Sequence, residues 1–202
     1  MLALRGLSVG LLMLGLACHW AGLPQREKIF AAHETGLTLI YENPQLESPV
    51  RMDERLQVRV ASVKEGESGT AARVTFTTLK GEFSALFLLK KGGLFLSQDE
   101  RTPGIQLRPE GFPDRVTQWE AHGTRFRVLG RAAADLHGLR LPDGMDRVGV
   151  WLESATPQGQ RQRVFLLPDI GEVETLVWRD GAWICVNRLV SRGFTDAPSV
   201  RE

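Results

Sequence analysis

Cysteine is scarce in this sequence: two among 202 residues, Cys18 and Cys185. One disulfide at most is open to the chain, far from the stapled framework of small secreted domains. Net charge is also missing. The 25 Lys and Arg residues against 24 Asp and Glu leave +1 at pH 7. Loss of the first 17 residues, whose one ionisable side chain is Arg5, would take 25 basic groups to 24 and the net charge to zero. A balanced chain lacks the attraction that nucleic acid or an anionic lipid surface demands unless charge is locally segregated. Lys90 and Lys91 are an isolated pair and the arginines are scattered among carboxylates, so no nucleic-acid partner is expected. There is no apolar run of the roughly 20 residues that a transmembrane helix needs, no internal repeat and no low-complexity tract. No G-x-S-x-G elbow, phosphate-binding Walker loop or G-x-G-x-x-G after a strand is present, which removes the usual support for hydrolase, nucleotidase or dinucleotide-dependent chemistry. The four histidines, His19, His33, His122 and His137, have no metal-ligand spacing with one another or with cysteine. The expectation is a protein without cofactor, metal or catalytic residues, and not an enzyme.

What is there begins with ordinary globular composition, 43% hydrophobic and 24% charged, which points to a folded, water-facing domain. The length suits one domain with a proper core. At the N-terminus, Met1 to Arg5 forms a short basic region and Gly6 to Ala17 an apolar run. The run falls within the roughly 7–15 residues of a signal-peptide core and short of a membrane span. It also lacks the amphipathic stripe of a buried core helix. Residues 1–17 are therefore read as a signal peptide, which makes the mature chain an exported one.

The stretch Leu14-Gly15-Leu16-Ala17-Cys18 resembles the lipobox of bacterial lipoproteins. In that family the cysteine thiol receives a diacylglycerol and becomes the new N-terminus after cleavage. Where the family usually has Leu, three places before the cysteine, this chain has Gly15, and its Leu stands one place closer, at Leu16. The resemblance implies lipid attachment at Cys18, with ordinary signal cleavage nearby as the rival. Acylation would leave Cys185 alone, and between Ile184 and Val186 in an expected strand it reads as a small apolar filler rather than a nucleophile. Residues 18–26 would form a lipidated tether and 27–202 a single β-rich domain. Acyl chains contribute about 0.8 kcal/mol per buried CH₂, so several of them hold a protein to a membrane without a membrane-binding surface on the domain itself. The absence of aspartate after Cys18 tilts the expectation toward the outer membrane, facing the periplasm.

The rest of the chain reads as strands broken by Gly, Pro and Asp: Leu37–Glu42, Leu56–Val63, Ala71–Leu79, Glu82–Lys90, Leu94–Ser97, Arg125–Leu129, Arg147–Ser154, Arg161–Leu167, Val173–Arg179 and Ala182–Val190. Helices are expected over Arg26–Thr35 and, at most briefly, Ala132–His137. The fold class is all-β with minor α, an antiparallel meander of hairpins forming a curved sheet or half-barrel.

Three turns set pairing. Asp180-Gly181 signals a type I′ turn, whose central residues both take positive φ. It pairs Arg179 with Ala182, Trp178 with Trp183, Val177 with Ile184 and Thr175 with Val186. One face then carries Val173, Thr175, Val177, Ala182, Ile184 and Val186; the other carries Leu176, Trp178, Trp183 and Cys185 beside Glu174 and Asn187. The Trp178–Trp183 pair suggests a ligand platform, but beside a tight turn it is better explained as hairpin stabilisation. Lys80-Gly81 offers a second two-residue turn, placing Val74, Phe76, Thr78, Phe83, Ala85 and Phe87 on one face. Leu86 to Leu89 lose polar alternation and should be covered on both sides. A third hairpin turns through Thr156-Pro157-Gln158-Gly159, its register left open. Glu172 and Glu174 share a strand face by alternation and are read as a solvated strand edge rather than a catalytic pair. The loops 43–55 and 98–112 are long and rich in Pro and charge.

From Arg125 to Trp183 the order of turns, with Leu141-Pro142-Asp143-Gly144 and Leu167-Pro168-Asp169-Ile170-Gly171, looks like the C-terminal half of the lipoprotein-carrier proteins of the LolA/LolB-like half-barrel type. That likeness implies a curved sheet whose apolar concave face accepts acyl chains. Two roles follow as expectations: a structural or interaction domain anchored in the envelope through Cys18, with an envelope protein as partner, or a binding module for lipid or acyl chains.

Overall fold

Alternating apolar residues make the strands, and their number decides how far the sheet must curl to bury one face. The computed structural model describes residues 34–46, 54–67, 69–97 and 104–194. The leader 1–17, Cys18, the tether 18–26 and nearly all of the expected helix Arg26–Thr35 lie outside the described residues. So do parts of the two long loops.

The described residues form twelve strands: β1 (Leu37–Glu42), β2 (Leu56–Gly66), β3 (Gly69–Thr78), β4 (Gly81–Lys90), β5 (Gly93–Ser97), β6 (Ile105–Pro109), β7 (Gln118–Ala121), β8 (Thr124–Ala133), β9 (Val148–Ala155), β10 (Arg161–Leu167), β11 (Gly171–Arg179) and β12 (Ala182–Phe194). They belong to one antiparallel sheet in the order β6-β5-β4-β3-β2-β1-β12-β11-β10-β9-β8-β7. Within β1–β6 and within β7–β12 each strand neighbours its successor in sequence, and the two runs are joined in the middle where β1 pairs with β12. The sheet curls until its end strands, β6 and β7, touch, giving a nearly closed antiparallel barrel. This goes beyond a half-barrel with an open concave face.

The inner face is apolar. Leu37, Leu39, Val58, Val60, Val74, Phe76, Phe87, Phe126, Val150, Leu152, Val164, Leu166 and Leu189 form one buried cluster drawn from strands all round the sheet. Phe76 is stacked on its cross-strand partner Phe83 with ring centroids 5.0 Å apart. Phe112 meets Trp119 edge to face at 5.6 Å and Trp119 stacks on Phe126 at 4.9 Å, filling the barrel beside the β6/β7 seam. An apolar interior with arginines and carboxylates on the outer face is the inverse of a transmembrane barrel, which turns apolar side chains to lipid. Among the described residues no helix is long and apolar enough to cross a membrane.

Several local expectations give way. The Asp180-Gly181 turn forms with φ of 50° and 81°, and the pairs Arg179–Ala182, Trp178–Trp183 and Val177–Ile184 stand as expected. Further along, Thr175 pairs with Asn187 rather than Val186, because a bulge between Thr175 and Leu176 makes Val186 an extra residue. That shift brings Leu189, 2% exposed, into the core and Asn187 opposite Thr175. The β3–β4 turn sits one residue earlier than expected: Thr78 pairs with Gly81, leaving Leu79 and Lys80 at the tip. Lys80 keeps negative φ while Gly81 takes +121°, so glycine absorbs the conformation that lysine resists. Pairing moves by two residues, so every side chain keeps its face. Residues 132–137 are not helical; Ala132 and Ala133 extend β8 and the rest is irregular. Strands β6 and β7 were not anticipated, and β6 occupies part of the stretch read as the loop 98–112. Leu86, Phe87 and Leu88 are all buried, as the lost alternation required.

Candidate functional site

Three polar constellations stand out against this frame. The first lies inside the barrel. A bulge between Phe165 and Leu166 displaces β11 by one residue at Val173, which breaks the alternation that would have put Glu172 and Glu174 on one face. Glu172 is 3% exposed and turned inward; Glu174 lies on the outer side with Arg188. The reading of the two as a solvated pair is thus corrected. Thr175 Oγ1 donates to Glu172 Oε1, and Tyr41 Oη, from β1, donates to the Glu172 carbonyl at 2.8 Å. Arg108, 4% exposed, pairs across the ladder with Leu94 because Leu107 is bulged, and so points inward toward the same carboxylate. Burial pushes the Glu172 carboxyl up to about 8, against the pull of the Thr175 hydroxyl and Arg108. Burial likewise pushes the Arg108 guanidinium down to about 9, opposed by Glu172. Tyr41 is raised well above its ordinary value, first by burial and then by Glu172. These groups face packed side chains, so the cluster ties β1, β6 and β11 together rather than presenting a reactive group to a ligand.

The second constellation surrounds Cys185 on the outer face. Its thiol lies 3.4 Å from Glu174 Oε1, which also accepts from Arg188 Nη2 at 3.0 Å and stands 3.8 Å from His137 Nε2. Burial, then Glu174, pushes the thiol up to about 11, so it is protonated at neutral pH and a poor nucleophile. The residue is half-buried, less enclosed than an apolar filler would be. Among the described residues no group of three His, Cys, Asp or Glu side chains could hold a metal ion.

The third covers the outer face of β8 to β12. Glu153, its side chain 9% exposed, accepts from Arg163 Nε at 2.8 Å, Arg161 Nη2 at 3.2 Å and Arg127 Nη2 at 3.4 Å. Burial works against the charged carboxylate, but the hydrogen bonds from Arg163 and Arg161 outweigh it and hold the group below its ordinary value. Trp178 and Trp183 meet edge to face with centroids 5.3 Å apart. The Arg161 guanidinium lies 5.5 and 5.3 Å from the two rings, and that of Arg163 lies 4.1 Å from Trp183. The pair therefore serves the hairpin and its arginines, at about 0.5–1 kcal/mol per cation–π contact.

No protein-family model matches the sequence, and no curated protein does. Two solved structures are similar in chain trace. One, from Parabacteroides distasonis and described as a "putative lipoprotein", has a TM-score of 0.47 and 11% identity over 84% of this chain and 100% of that one. The other, from Bacteroides fragilis and described as a "putative exported protein with YmcC-like fold", has a TM-score of 0.45 and 13% identity over 81% of this chain and 98% of that one. Likeness of this degree carries no functional argument.

The arginine cluster corrects the picture of basic residues evenly mixed with acidic ones: three guanidiniums gather on one carboxylate. Arg161 and Arg163 share a face by simple alternation, which the sequence displays. Their convergence on Glu153 depends on the β9–β10 register, in which Arg163 pairs with Glu153 and which the Pro-Gly turn left open. The inward turn of Glu172 and Arg108 had no sequence signal at all, because bulges create it. Cys18, the one residue singled out for modification, lies outside the described residues.

Proposed function

We propose that this chain is an exported envelope lipoprotein, tethered to a bacterial outer membrane through acylated Cys18 and facing the periplasm. Its barrel works by surface contact rather than by carrying an acyl chain or by catalysis. The observation that carries the choice between contact and carriage is the filled interior. Side chains of the chain itself occupy the apolar inner face. Among the described residues, cavities of about 220 and 70 Å³ are lined in part by Arg131 and Arg163, and by Lys64 and Arg73. The larger is below the roughly 300–1,000 Å³ of a site for a drug-sized ligand. The contact surface is the outer face of β8 to β12, where Arg127, Arg161, Arg163, Trp178 and Trp183 are held in place by Glu153 and by one another. Tethering is supported by the brief apolar leader ending at Cys18 and by a domain whose outer face carries charge.

The test is fractionation of a bacterial host producing the full chain and its Cys18→Ser variant, followed by detergent phase partitioning. The native protein should enter the membrane fraction and the detergent phase, and the variant the aqueous phase. Identical partitioning of the two would overturn the tether.

A further inference from the structure

We propose that the cavity on the outer face of β8 and β9 binds one pyranose ring of a glycan. The inference rests on the reading of this face as the contact surface and gives that surface a ligand class. The cavity, about 220 Å³, is lined by Leu129, Gly130, Arg131, Trp151, Arg163 and Leu176. Its origin is in the backbone: β8 and β9 lose register between Val128 and Gly130, so Leu129 is an extra residue and Gly130 stands opposite Trp151. Bulges re-aim side chains and often border sites. A Cβ added at Gly130 would meet nothing within 4 Å, so the space above the bulge is open.

The lining has the chemistry of a sugar subsite. The Trp151 indole, braced against Phe165 with centroids 5.0 Å apart, supplies an aromatic surface for the C–H groups of a pyranose. Two guanidiniums flank it, each fixed by a carboxylate: Arg131 Nη2 lies 2.6 Å from Asp114 and Arg163 Nε 2.8 Å from Glu153. A guanidinium has five N–H donors and a carboxylate about four acceptor sites, so the exposed Arg131–Asp114 pair keeps both donors and acceptors for adjacent hydroxyls of one ring, while Arg163 adds N–H donors beside a Glu153 already saturated by its arginines. Each lining guanidinium already faces a carboxylate, Arg131 that of Asp114 and Arg163 that of Glu153, so both offer a ring hydrogen bonds rather than uncompensated charge, and the polyglutamate arm of the test separates this from attraction of an anion. Volume excludes an acyl chain or a whole nucleotide and admits a single ring.

The test follows the ¹⁵N-labelled indole resonances of the full mature chain during titration with methyl α-D-glucopyranoside, methyl β-D-galactopyranoside and dextran. Polyglutamate is the acidic control, and Trp151→Phe assigns the reporting signal. A saturable shift of the Trp151 resonance at millimolar sugar is expected, with Trp178 unmoved. Affinity should fall about tenfold in Arg131→Ala, whose exposed side chain can be removed without touching the core, and vanish in Leu176→Trp, which fills the cavity. If the Leu176→Trp protein does not fold, Arg131→Ala alone decides. Absence of any Trp151 shift with all three saccharides, a shift with polyglutamate only, or equal sugar affinity in Arg131→Ala would overturn the proposal. Membrane release of Cys18→Ser is measured separately, so loss of the anchor and loss of sugar binding are told apart.

Discussion

Replacing Glu172 by Gln should make the protein more stable at neutral pH and flatten its pH dependence. Glu172 is enclosed among Thr175, Tyr41 and Arg108, and its folded-state carboxyl titrates near 8 against 4.5 for a free one. A carboxyl raised in this way binds its proton more tightly in the folded chain. Its contribution is therefore fully present below about 4.5 and lost as pH rises toward 8. Within that window the slope is about 1.4 kcal/mol per pH unit, so by pH 7 the wild-type protein has lost on the order of 3 kcal/mol relative to acid conditions. Arg108, pushed down to about 9, stays protonated in both folded and unfolded chains over this range and adds no slope. Glutamine preserves an acceptor for the Thr175 hydroxyl and cannot ionise. Urea unfolding at pH 5, 6, 7 and 8, with the difference between wild type and Glu172→Gln taken at each pH, cancels the other carboxylates. The difference should grow steadily in favour of the variant. A pH-independent difference, or a wild-type protein that gains on the variant toward pH 8, would refute the account of the interior cluster.

Three further outcomes follow from the packing. Phe76→Ala, at a fully buried ring stacked on Phe83, should cost about 3–5 kcal/mol in the same unfolding assay. Gly149→Ala should destabilise by about 1–3 kcal/mol, because the new Cβ would press on the backbone carbonyl oxygen of Leu166 and on the Phe165 ring, whose Cζ lies 2.5 Å from its ideal position. Asp180→Val should cost about 1–2 kcal/mol by forcing a β-branched residue to hold a φ of 50°, while Asp180→Gly should leave the melting temperature nearly unchanged.

Most of the strand layout was legible because alternation and turn chemistry are local. Leu37–Glu42 and Arg161–Leu167 match strands residue for residue, and Asp180-Gly181 fixed the register of its hairpin as far as Leu176. Beyond that point a bulge at Val186 set the pairing, and the sequence Ile184-Cys185-Val186-Asn187 carries no mark of it. The same cause hid the interior cluster, since Glu172 and Arg108 turn inward at the bulges of Val173 and Leu107. Strands β6 and β7 were missed because Ile105–Pro109 and Gln118–Ala121 are short and mix polar with apolar residues; they exist as the ends of a barrel already built by the ten other strands. The arginine cluster required knowing that Arg163 lies opposite Glu153. Closure of the sheet was illegible for a global reason: it depends on the summed curl of twelve strands, with β1 and β12 pairing across the length of the chain.

The intact mass of the protein purified from bacterial membranes tests the central claim most directly. The account predicts a chain beginning at Cys18 and heavier than its amino acids by the mass of attached acyl chains. A molecule that retains residues 1–17, or one that begins elsewhere with an unmodified Cys18 thiol, would contradict it.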